Sequence, residues 1–178
     1  MNEFDRILLV GCGNMAGAML QGWMAGGAAA SRFTVADPAD RELPDGVHKL
    51  DAIPAEGAFE AIVLGVKPQL LAEVAPRVEA LAGPETVVLS ILAGVELAVL
   101  ANRFPRAAGL LRVMPNLSAA LGKSPMALAS RGLDEGGRSA VFRLLEPLGT
   151  PEWVEEDEFD LVTALAGSGP AFVYRFIE

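Results

Sequence analysis

The segment Gly11-Cys12-Gly13-Asn14-Met15-Ala16 has the residue types of a phosphate-cradling turn. It follows the apolar run 7–10 and opens a stretch of helical periodicity. That is the context in which Gly-x-Gly-x-x-Ala binds a dinucleotide. Gly11 permits the tight turn, and Gly13 lets the backbone approach a pyrophosphate. Ala16 stands where a third glycine often lies, small enough for close helix–sheet packing. The N-terminus of the following helix then faces the phosphates. The competing reading is a plain strand-to-helix turn. Cys12 reads as a small loop residue rather than a redox centre.

Asp37 ends the next β-branched run, 20 residues after Gly17. An acid at this point accepts hydrogen bonds from the adenosine ribose hydroxyls and repels a 2′-phosphate. Arg41 is near enough in sequence to offset that repulsion. The alternative is a turn aspartate before Pro38. Three more segments, Gly65 to Gln69, Ser90 to Val95 and Arg112 to Asn116, each end an apolar run. Ligands of open α/β sheets bind along the carboxyl edge of the strands, where all three would lie. Pro68 and Pro115 fix the exit directions of their loops.

Positioning these segments requires a sheet. Residues 7–10, 33–37, 61–66, 86–91 and 109–114 are apolar at successive positions, as in strands covered on both faces. Helical patterns over 14–24, 69–81 and 95–103 lie between most of them. Residues 47–50 form a candidate extra strand after a short connection. Residues 126–130 and 152–155 read as edge strands around a helix over 135–148. The alternation predicts an α/β chain with a Rossmann-type, doubly wound, mainly parallel sheet.

The 178 residues carry a formal charge of −9, with 14 Lys and Arg against 23 Asp and Glu. Broad nucleic-acid binding needs clustered base and is not expected. An anionic ligand at a helix N-terminus remains compatible with an acidic chain. A single cysteine excludes an intrachain disulfide and fits a reducing, cytoplasmic setting. No membrane span and no signal peptide are expected. The acidic run 155–160 reads as a solvated helix start. His48, the one histidine, reads as neither ligand nor catalyst, and no metal is expected.

Gly11-Cys-Gly-Asn-Met15, Val66-Lys-Pro-Gln69, Ala93-Gly-Val95, Arg112-Val-Met-Pro-Asn116 and Asp160 to Phe172 occur in this order. In this they resemble the pyrroline-5-carboxylate reductases. The last segment, with its Gly-Ser-Gly-Pro-Ala-Phe, is the most specific, and the glycine fingerprint the least. The resemblance implies reduction of 1-pyrroline-5-carboxylate to L-proline with NAD(P)H. It implies a cofactor site of Gly11, Cys12, Gly13, Asn14, Met15, Asp37, Val66, Lys67, Pro68, Ala93, Gly94, Met114 and Pro115. Asn116 is the polar candidate for positioning beside the nicotinamide, against the alternative of a turn asparagine.

The resemblance also divides the chain into a dinucleotide-binding domain, 1–157, and the start of a helical dimerisation domain, 158–178. Most of that second domain is expected to be missing. A homodimer or higher homo-oligomer through it is implied. Ser168 and Pro170 would open a helix whose Phe172, Val173, Phe176 and Ile177 share one apolar side. One departure is Leu117-Ser118, where the family commonly has Thr-Pro. Asp37 is another, since many members use NADPH. Two other readings stay open: a related reductase of another small imine or oxo substrate, and a non-catalytic nucleotide-binding module.

Overall fold

The computed structural model describes residues 4–168. The expected helix bearing Phe172, Val173, Phe176 and Ile177 lies outside them. Eight strands form one sheet: β1 (Ile7–Val10), β2 (Phe33–Ala36), β3 (His48–Leu50), β4 (Ala61–Leu64), β5 (Val87–Ser90), β6 (Gly109–Met114), β7 (Ser124–Arg131) and β8 (Gly149–Trp153). Their order is β3-β2-β1-β4-β5-β6-β7-β8. Every pairing is parallel except β6 with β7. The helices are α1 (Asn14–Ala25), α2 (Leu71–Leu81), α3 (Leu97–Arg103), α4 (Glu135–Leu145) and the short α5 (Phe159–Val162).

The uninterrupted apolar strands follow from burial on both faces. Ile7 and Leu9 of β1, with Val63, Leu89 and Leu111, join the core under α1 and α4. Leu8 and Val10, with Ile62, Leu64, Val88 and Leu110, join the core under α2 and α3. Successive side chains point to opposite faces, so a strand covered twice needs apolar residues at every position.

Two differences from the sequence reading concern the place of β7 in the sheet and the start of α2. Residues 126–130 belong to β7, which is interior rather than an edge, and β8 forms the edge. β7 pairs with β6 on one edge and β8 on the other, and its faces are both covered: Met126 and Leu128 join one core, Ala127 and Ala129 the other. Second, helix α2 begins at Leu71, because Pro68–Leu70 form a 3₁₀ turn first. Gly22 lets helix α1 meet the 3₁₀ turn Leu117–Leu121: a Cβ there would fall 2.1 Å from the Ala119 carbonyl oxygen.

Candidate functional site

The order of the strands reverses between β1 and β4, and the candidate site opens there. The turn after β1 and the turn after β4 touch. Gly11 has φ +83°, and a Cβ on it would lie 2.9 Å from Val66 Cγ1. A Cβ on Gly65 would lie 2.5 Å from the Gly11 carbonyl oxygen. Both glycines are therefore required by close approach, and Gly11 also by its positive φ. Gly11 N–H donates to the Ala36 carbonyl at 2.8 Å, and Gly65 N–H to that of Val10 at 2.8 Å.

Gly13 is the N-cap residue of α1 and supplies no side-chain acceptor. The first turn of the helix carries no acid, and a Cβ on Gly13 would meet nothing within 4 Å. The first N–H groups of a helix have no partner inside it. Here they open onto space beside a positive dipole end, an arrangement that fits a pyrophosphate.

A cleft of about 510 Å³ brings Gly11, Gly13, Asp37, Val66 and Lys67 together. Its wall also includes the acids Asp51 and Glu73, and Arg41, Ile53, Val74 and Arg77. The last three come from the loop after β3 and from α2, and no local motif marks them. Cys12, Asn14 and Leu117 line a neighbouring groove of about 650 Å³. Met15, Pro68, Ala93, Gly94, Met114, Pro115 and Asn116 line neither cleft. Pro68, Ala93, Gly94, Met114, Pro115 and Asn116 lie at or beyond the carboxyl ends of β4, β5 and β6, and Met15 in the first turn of α1.

The Asp37 side chain is nearly buried and already partnered. Its carboxylate accepts the N–H of Cys12 at 2.7 Å and that of Ala39 at 2.9 Å, and Arg41 Nε lies 3.4 Å away. Burial, and then the Asp37 charge, push the Cys12 thiol above its ordinary value of 9.0, with Arg41 opposing. A thiol held protonated is a poor nucleophile. Asn116 Oδ1 accepts the backbone N–H of Ser118 at 3.0 Å and the Ser118 hydroxyl. Asn116 N–H donates to Ser124 Oγ at 2.9 Å. The asparagine thus shapes its own turn, and Leu117 is left 58% exposed.

The acidic run differs from a merely solvated helix start. Glu156 turns inward and accepts the N–H of Leu97 at 2.6 Å and the guanidinium of Arg112 at 3.0 Å. The sequence reading missed this pair because a lone arginine in an apolar strand carries no spacing signal. His48 is exposed. Among the described residues no cluster of His, Cys, Asp and Glu is suited to a metal ion, and no helix is long and apolar enough to cross a membrane.

Sheet order, glycine turn and open helix N-terminus are those of a Rossmann-type dinucleotide-binding fold. The family described as NADP oxidoreductase, coenzyme F420-dependent, matches residues 6–94. The pyrroline-5-carboxylate reductase of Vibrio alginolyticus is 33% identical over 184 residues, covering 99% of this chain and 68% of that protein. The chain belongs to the pyrroline-5-carboxylate reductase family. It spans about two thirds of the length of such relatives. The fold is that of the Plasmodium falciparum pyrroline carboxylate reductase with NADP bound (TM-score 0.85, 20% identity, 99% of this chain and 68% of that one). The Coxiella burnetii pyrroline-5-carboxylate reductase is also similar (TM-score 0.84, 25% identity, 98% and 68%).

Proposed function

We propose that the intact protein reduces the C=N bond of 1-pyrroline-5-carboxylate to give L-proline with NAD(P)H, the last step of proline biosynthesis. The observation that carries this reading is the 33% identity to a reductase of that name across nearly the whole chain. When bound, NAD(P)H supplies the hydride. A protonated imine is already electrophilic, so the protein chiefly has to hold two rings in register. That need is consistent with a site lacking a nucleophilic triad.

In this reading, backbone N–H groups from Gly11 to Met15 hold the pyrophosphate, with Cys12 as a packing residue of the turn. Asp37 faces the adenosine ribose while bracing the glycine turn. Val66, Lys67 and Pro68 border the cofactor. Ala93, Gly94, Met114 and Pro115 border the nicotinamide, and Asn116 positions the reacting ring through the turn it shapes. Residues 1–157 form the dinucleotide-binding unit, and 158–178 begin a helical domain that pairs subunits into a homodimer or larger homo-oligomer. The single cysteine supports a reducing, cytoplasmic setting.

The test is incubation of the intact protein with pyrroline-5-carboxylate and either NADH or NADPH. Proline is expected by mass spectrometry, with matching coenzyme oxidation; no proline with either coenzyme defeats the proposal. Leu117, exposed where the family commonly has a hydroxyl, favours a second reading as a reductase of another small cyclic imine. Faster turnover of such an imine would select it.

A further inference from the structure

Arg112 lies inside β6 with its side chain only 3% exposed, although its strand neighbours are apolar. Its guanidinium is surrounded. Nη1 donates to Glu156 Oε1 at 3.0 Å, Nη2 is 3.9 Å from Asp160 Oδ1, and Cζ is 4.1 Å from the centre of the Phe159 ring. The same Glu156 oxygen accepts the N–H of Leu97 at 2.6 Å. One carboxylate oxygen therefore joins the start of α3, the end of β6 and the segment containing α5.

A buried ion pair is weak evidence for stability, because desolvation offsets most of the attraction. Arg112 Nε is moreover buried without a partner among the described residues. An apolar side chain would fill the same strand position without either cost. What the arginine supplies is geometry. Leu97 follows the loop of Ala93 and Gly94, and Arg112 leads into Met114, Pro115 and Asn116. The ion pair spans the two loops assigned above to the nicotinamide border.

We infer that Arg112 is a positioning residue for hydride transfer, which through Glu156 holds the loop after β5 against the loop after β6. The inference rests on the reductase reading. The pyrophosphate turn and Asp37 lie at other strand ends, so coenzyme affinity, unlike the rate, should depend only weakly on this pair.

The intact protein and its Arg112→Met, Arg112→Lys and Glu156→Gln variants are compared with pyrroline-5-carboxylate and NADPH. Arg112→Met should lower kcat about tenfold or more, because small misplacements of reacting groups are costly. The isotope effect with NADPH deuterated at the transferred hydrogen should rise. Coenzyme Kd should stay within about twofold, since the pyrophosphate donors are backbone groups of another turn. Arg112→Lys should recover part of the rate. Glu156→Gln keeps an acceptor for Leu97, should fold normally, and should show a smaller change in the same direction. It carries the test if Arg112→Met fails to fold. An active parent with unchanged kcat and isotope effect in the folded variants overturns this inference alone. So does a loss of coenzyme affinity equal to the loss of kcat. A parent that forms no proline overturns the reductase reading and this inference with it.

Discussion

The Asp37 carboxylate accepts the backbone N–H of Cys12 across 2.7 Å, which ties the end of β2 to the glycine turn after β1. With Ala39 N–H and Arg41 also on it, the charge is substantially compensated. The electrostatic objection to a 2′-phosphate is correspondingly smaller than a lone aspartate would raise. Replacing Asp37 with Ser should weaken both coenzymes, because the turn loses its brace, and should move preference from NADH toward NADPH as Arg41 is released. Steady-state kinetics with each coenzyme measure the ratio; an unchanged ratio removes Asp37 from coenzyme choice.

Gly11 should not tolerate alanine. Its φ of +83° is strained for any side chain, and the new Cβ would press on Val66 Cγ1 and the Gly65 backbone. Strain of about 1–3 kcal/mol would be relieved by moving the turn. Calorimetric titration of Gly11→Ala should show coenzyme affinity reduced tenfold or more (about 1.4 kcal/mol per decade), with the circular dichroism spectrum retained. Wild-type affinity would show that the turn can yield without harm.

Glu60 provides a pH signature. Burial by itself would raise its pKa, but N–H groups of Asp5 and Arg6 and the Arg6 guanidinium hold it below the ordinary 4.5. A carboxyl whose folded pKa is depressed adds stability above its unfolded value and loses it as pH falls through the folded one. The acid limb of stability below pH 4.5 should therefore flatten in Glu60→Gln. Denaturant titrations at several pH values check this, and parallel acid limbs would rule it out.

Trp23 is buried, stacks on Phe33 at 5.4 Å, and donates from Nε1 to the Leu144 carbonyl at 2.7 Å. That carbonyl lies in the last turn of α4, where helix acceptors lack internal partners. Trp23→Phe leaves it buried and unpaired, so a loss of about 1–3 kcal/mol is expected from urea unfolding. A change within error would mean that water or a relaxed helix end replaces the indole.

Much of the framework of the candidate site was legible locally. The glycine turn, the acid at the end of β2 and the three strand-end loops are sequence features, because backbone conformation and strand polarity act over a few residues. The doubly apolar strands likewise announced a parallel sheet covered on both faces. Tertiary structure decided what depends on meeting at a distance. β7 became interior because β8, which follows α4 in the chain, pairs with the edge that β6 leaves open. Arg77 and Ile53 reached the cleft because α2 and the loop after β3 converge on it. Arg112 and Glu156, 44 residues apart, found each other inside the fold, although one read as part of a strand-end segment and the other as a solvated acid. Local sequence sets which residue types can act, whereas long-range packing sets which of them share a dielectric, a partner and a charge.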